Sequence, residues 1–185
     1  MKYRLINKPI KENYTKTLLQ ERGVEDVLTF LNPDFSFIQD PLGMDNMAAG
    51  AALLMTNIGP NKTILICADC DVDGYTSATI MYQYIKKLQP ETEIKYFLHE
   101  GKQHGLEDLL VEIRNDDTDY DLIIMPDASS NDYEYHKELG ERGIPVLVLD
   151  HHIVEEEIHE NAVVINNQSS SNYRNKELTG AGVAW

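Results

Sequence analysis

From residue 62 onward, short apolar runs alternate with amphipathic stretches, and this alternation constrains the fold more than any other feature. The runs Thr63–Ala68, Glu93–Leu98, Asp121–Met125, Pro145–Leu149 and Ala162–Ile165 have strand length. Between them, Tyr75–Leu88, Leu106–Arg114 and Asp132–Arg142 show helical spacing. Strand and helix in turn predict an α/β domain over residues 61–185, a parallel sheet with helices on both faces. Near-continuous apolar strands fit a sheet covered on both sides. Residues 1–60 read as a helical N-terminal segment. Tyr14–Phe30 is helical with a break at Gly23, and Asn32-Pro33 and Asp40-Pro41 mark turns. Asp45–Ile58 is a helix stopped by Gly59-Pro60.

In such sheets, ligands bind beyond the carboxyl ends of the strands. Asp69-Cys70-Asp71-Val72-Asp73-Gly74 follows the first strand, Pro126-Asp127 the third and Asp150-His151-His152 the fourth. Three strands thus deliver carboxylates and imidazoles to one edge. Clustered carboxylates repel one another and are costly to desolvate unless a cation compensates. Asp69, Asp71 and Asp73 alternate, so an extended backbone would turn all three one way, and a turn at Gly74 would curl them round a site. Oxygen ligands with one or two imidazoles suit manganese, with magnesium or zinc as substitutes. Two ions about 3.5–4 Å apart would polarise a phosphate and activate water near neutral pH. Taken singly, each cluster has a plainer reading: a solvated Asp-rich turn, a helix cap at Asp127, a satisfied Asp–His pair at Asp150. An EF-hand is disfavoured, because the twelfth loop position counted from Asp69 is Ile80, where a bidentate Glu is required.

The formal net charge of −15 argues against a general basic DNA groove within these residues, since phosphate neutralisation drives such binding. Acidic residues gathered round metal ions, or a basic surface outside this sequence, would reconcile that charge with a nucleic-acid substrate. Cys67 and Cys70 form a C-x-x-C without a second pair to complete a four-thiolate zinc site, and read as a buried strand cysteine followed by a loop cysteine. No apolar stretch approaches the roughly 20 residues of a membrane helix, and the N-terminus has no signal-peptide core. A cytoplasmic protein with no membrane association is expected.

Asp69-Cys70-Asp71-Val72-Asp73-Gly74 resembles the first motif of DHH phosphoesterases, Met125-Pro126-Asp127 the second, and Leu149-Asp150-His151-His152 the signature that names the family. Flanking text is similar to the RecJ branch. Phe30-Leu31-Asn32-Pro33 and Asp40-Pro41-Leu42 resemble its lead-in, and His104-Gly105-Leu106 its G-Y-G-L turn. Asn166-Asn167-Gln168 resembles its N-P-N-Q, and Leu178–Trp185 its L-x-G-[AV]-G-V-A-F. The resemblance spans about residues 28–185.

It implies a 5′→3′ exonuclease on single-stranded DNA, active in repair, recombination or replication, that uses two divalent ions, manganese preferred and magnesium possible. It further implies that Asp69 and Asp71 hold one metal, Asp73 and His151 the other, and Asp127 bridges both. By the same resemblance, His152 contacts the scissile phosphate and Asp150 orients the His pair. His99 stands where RecJ proteins carry a phosphate-binding Arg, and His104 is a second candidate phosphate contact. Single-strand-binding or replication proteins are implied partners. The family's fourth motif, which supplies a further Asp, lies beyond Trp185, as do its C-terminal domains. The DHH domain is therefore expected to be truncated, and weak or inactive alone. An oligoribonuclease or nucleotide phosphatase of the same superfamily is the alternative enzyme. A replication scaffold that has lost its ligands is the non-enzymatic one, and the intact Asp and His set speaks against it.

Overall fold

The computed structural model describes residues 13–99, 106–155 and 157–185. The chain divides into two compact units, residues 1–39 and 40–185. In the first, α1 (Tyr14–Glu21) and α2 (Val27–Leu31) are separated at Gly23, whose φ is +84°. Asn13 caps α1 by accepting from the Lys16 amide, and Asp26 caps α2 by accepting from Thr29.

The second unit holds α3 (Met47–Asn57), β1 (Thr63–Ala68), α4 (Val72–Leu88), β2 (Glu93–Leu98), α5 (Glu107–Asn115), β3 (Leu122–Pro126), α6 (Tyr133–Glu141), β4 (Val146–Asp150), β5 (Ala162–Asn166) and α7 (Gly180–Ala184). All five strands are parallel, in the order β2-β1-β3-β4-β5. Helix α3, grouped with residues 1–60 by its sequence pattern, lies in the unit that carries the sheet. The reason is packing: Leu54 of this helix joins the core on the sheet, and a Cβ at Gly50 would meet Ile165 Cδ1 at 2.5 Å, so glycine lets the helix lie against β5 without displacing that side chain.

Successive strand residues point to opposite faces, and both faces are buried along β1, β3, β4 and β5, whereas the edge strand β2 stays partly exposed. One carries Leu65, Cys67, Ile123, Met125, Val146 and Val148 against Leu109, Leu110 and Ile113 of α5 and Leu139 of α6. The other carries Ile64, Ile66, Leu122, Ile124, Leu147 and Leu149 against Leu54, Met81, Ile85 and Val183. Each such side chain contributes about 1.5–3 kcal/mol on burial. Among the described residues no helix is long and apolar enough to cross a membrane.

Strand order decides where the site falls. From β1 the chain moves outward to β2, then returns past β1 to β3. The switch point therefore lies between β1 and β3, and a crevice opens there beyond their carboxyl ends. Asp69 follows β1 and Asp127 follows β3.

Candidate metal centre

Strand β1 ends at Ala68, and the extended run expected through Asp73 does not form. Asp71 prevents it. Its Oδ1 accepts from the amides of Asp73 (2.9 Å) and Gly74 (3.0 Å), which caps α4 and starts the helix at Val72. The three carboxylates thus stand on different structural footings: Asp69 buried at the strand end, Asp71 exposed at the cap, Asp73 in the first helical turn. Gly74 is required where α4 passes Asp69, since a Cβ there would lie 2.6 Å from the Asp69 carbonyl oxygen.

Asp127 occupies the centre. Its backbone is left-handed, with φ +70°, and its amide donates to the Leu149 carbonyl over 2.7 Å. Its carboxylate is buried, and Oδ1 has no hydrogen-bond partner. The His151 Nε2 atom lies 3.1 Å from that oxygen, without the alignment of a hydrogen bond. Burial, reinforced by the negative charges of Asp73 and Asp71, pushes the Asp127 carboxyl up to about 8.

The described ligand atoms fall into two groups, each within 4.8 Å: Asp69, Asp71 and Asp127, and Asp127, His151 and His152. Asp127 is common to both. A buried carboxylate oxygen without a donor, in a cluster of like charges, fits a divalent cation.

Asp73 belongs to neither group. Its Oδ2 accepts from the Gly180 amide (2.8 Å) and its Oδ1 from the Ala181 amide (2.9 Å), both in the first turn of α7. Burial alone would raise its pKa, but these bonds, with Thr179, hold it below the ordinary carboxylate value. Oδ2 remains 3.6 Å from His151 Nε2.

Asp150 anchors the His pair. It is buried and accepts from the Ser130 amide (3.1 Å), the His151 amide (2.7 Å) and the His152 amide (3.2 Å), and it pairs with His152 Nδ1 at 2.7 Å. These bonds outweigh burial and keep its pKa low. Burial lowers the His152 pKa, but the bond to Asp150 and the surrounding carboxylates raise it overall. Asn166 braces the pair, its Nδ2 donating to the His152 carbonyl (2.9 Å) and to Ser130 Oγ (3.0 Å). The brace role of Ser130 has no sequence signal, whereas Asn166 is marked by its motif.

His99 is buried, with Nε2 3.2 Å from Cys67 Sγ. His104 lies outside the described residues.

Residues 63–185 match the DHH family, N-terminal domain. The chain belongs to the DHH family. YorK, a prophage-derived protein of Bacillus subtilis (strain 168) named as a single-strand DNA-specific exonuclease, is 40% identical over 186 residues, which cover 100% of this chain and 31% of YorK. RecJ of Bacillus subtilis (strain 168), named as a single-stranded-DNA-specific exonuclease, is 28% identical over 176 residues, 91% of this chain and 22% of that protein. The fold is similar to a crystal structure of exonuclease RecJ bound to manganese, with TM-score 0.66 and 25% identity, covering 80% of this chain and 37% of that one. It is equally similar to RecJ from Thermus thermophilus in complex with Mn2+, TM-score 0.66 at 23% identity over 90% of this chain and 23% of that one. The chain spans about a third of the length of YorK. Within the DHH family, then, its likeness is to the RecJ exonucleases.

Proposed function

We propose that this DHH domain is the catalytic part of a 5′→3′ exonuclease that hydrolyses single-stranded DNA with two divalent ions, manganese preferred and magnesium accepted. The observation that carries the reading is the Asp127 carboxylate: buried, without a donor at Oδ1, and shared by both ligand groups. Asp69 and Asp71 would hold one ion, His151 and Asp73 the other, and Asp127 both. Bound divalent ions would polarise the phosphate and make water a nucleophile near neutral pH.

The protein's own groups do the rest. The Nδ1 of His152 is engaged by Asp150, which leaves Nε2 as the atom to meet a phosphate oxygen. The raised pKa of His152 keeps a proton on that nitrogen to higher pH, so the imidazolium can donate to charge developing on the phosphate. Asp150 acts through His152, by holding its ring. The names of the relatives support single-stranded DNA as substrate. The setting would be DNA repair, recombination or replication in the cytoplasm, alongside single-strand-binding or replication proteins.

The test is a labelled-oligonucleotide digest with manganese. The 185-residue chain is compared with a version extended to the length of YorK, and the extended version also carries Asp127→Ala or His152→Ala. The extended protein should degrade single strands from the 5′ end and spare duplex, the short chain should be weak or inactive, and both substitutions should abolish cleavage. Cleavage of dinucleotides alone would replace this reading with an oligoribonuclease.

A further inference from the structure

Beside the acidic centre, helix α4 and the edge strand β2 enclose a groove of about 440 Å³, within the roughly 300–1,000 Å³ of small-ligand pockets. Tyr75, Ala78, Thr79 and Tyr82 lie at i, i+3, i+4 and i+7 of α4 and share one face. The small Ala78 and Thr79 open a trough between the two tyrosines. Across it, the alternation of β2 turns Tyr96 and Leu98 to the same side.

These aromatic walls are in contact with water. Tyr96 is 72% exposed, Tyr75 46% and Tyr82 44%. Scattered exposed aromatics are ordinary, but three tyrosines converging on one concavity form a surface suited to a flat, partly apolar ligand. None of the lining residues is charged, although the chain carries 31 acidic residues. A polyanion entering the groove meets no carboxylate in its walls, and it would be held there by ring stacking rather than charge. The groove adjoins the candidate centre at one point: Ala68, in its floor, directly precedes Asp69.

From this placement we infer that the Tyr75–Tyr82–Tyr96 groove is a base-stacking subsite, which seats a nucleobase of the single strand whose phosphate lies at the Asp127 centre. The inference rests on the proposed exonuclease reading for its ligand. The subsite is sequence-tolerant, because every base offers a π-face.

The probe is a phosphorothioate-linked oligodeoxythymidylate, used with manganese and the 185-residue chain. Carrying 5-iodouracil, it should photo-crosslink to Tyr75, Tyr82 or Tyr96. By fluorescence anisotropy, Tyr82→Ala and Tyr96→Ala should each weaken binding by about fivefold or more, Tyr96→Phe should bind like the parent, and an abasic oligonucleotide should bind as weakly as the alanine variants. The manganese-dependent melting shift should be unchanged in these variants, which separates loss of stacking from loss of fold. Crosslinks confined to other residues, or equal affinity of parent and alanine variants, would overturn the subsite while leaving the exonuclease reading standing. If groove variants weaken binding but the extended protein cuts no single strand, the hydrolase reading fails and the subsite survives. Failure of the parent chain to bind the strand at all overturns the subsite. So does a dimer in sedimentation that Tyr96→Ala dissociates, since the groove and its edge strand would then be an interface between two copies.

Discussion

The Gly180 amide donates to Oδ2 of Asp73 over 2.8 Å, across 107 positions of sequence. With Ala181 donating to Oδ1, the short helix α7 closes over the carboxylate and holds it ionised. The same glycine leaves no room on its other side, because a Cβ there would collide with the Asp127 carboxylate.

Gly180→Ala should therefore damage the centre more than the sheet. The clash displaces either α7 or Asp127, at a cost of about 1–3 kcal/mol. A calorimetric manganese titration should show at least a tenfold loss of affinity, with far-ultraviolet circular dichroism unchanged. Full manganese affinity in the variant would show that α7 does not set the position of Asp127.

Manganese should raise the melting temperature of the parent chain, since a cation relieves the repulsion at Asp127. At about 100 times its dissociation constant a ligand adds roughly 2.7 kcal/mol. Asp127→Asn removes a carboxyl whose ionised form burial and its acidic neighbours disfavour, so the metal-free variant should melt at or above the parent temperature, and its manganese shift should be lost. A variant that keeps the shift would take Asp127 out of the ligand set.

Asp150→Asn replaces an acceptor of four donors with a group that has one acceptor oxygen. At least one buried donor loses its partner, a cost of about 1–3 kcal/mol. The His152 ring also loses the charge that raises its pKa. Imidazole NMR should show the His152 midpoint falling, and denaturant unfolding should show the lost stability. An unmoved midpoint would mean that Asp150 does not hold the ring.

His136 provides a pH signal away from the centre. It is fully buried on α6, with Nε2 3.1 Å from Ser129 Oγ. Burial, with a smaller contribution from His159, lowers its pKa to about 4. The unfolded chain takes up this proton near pH 6.5 and the folded one does not. The stability contributed by neutral His136 is thus full above about pH 6.5 and is lost as pH falls toward 4. His136→Gln should flatten the decline in urea-unfolding stability over that window. An equally steep decline in the variant would place its origin elsewhere.

Much of the sheet was legible because β1, β3, β4 and β5 are almost wholly apolar and β2 alternates. Thr63–Ala68 and Glu93–Leu98 run as their patterns indicate, and β5 differs only by including Asn166. Helix α4 begins at Val72 rather than Tyr75, because the Asp71 cap competes with strand extension and wins. Helix α3 reads as a good helix in sequence, but its packing on the sheet, through Leu54 and the close approach at Gly50, assigns it to the sheet-bearing unit. His99 was a candidate phosphate contact by position alone, and its burial beside Cys67 follows from packing that periodicity does not reveal.

Local pattern sufficed for the parallel α/β class and for the delivery of Asp69, Asp71, Asp127, Asp150, His151 and His152 to one sheet edge, because period and strand ends are properties of neighbouring residues. Which of these groups share an ion-sized space depends on contacts between distant segments. The Asp127 amide on the Leu149 carbonyl, the amides of α7 on Asp73 and the Asn166 brace at His152 all join residues far apart in the chain. Burial and charge proximity exist only once those segments meet, so the raised pKa of Asp127 and the lowered pKa of Asp73 are products of the fold.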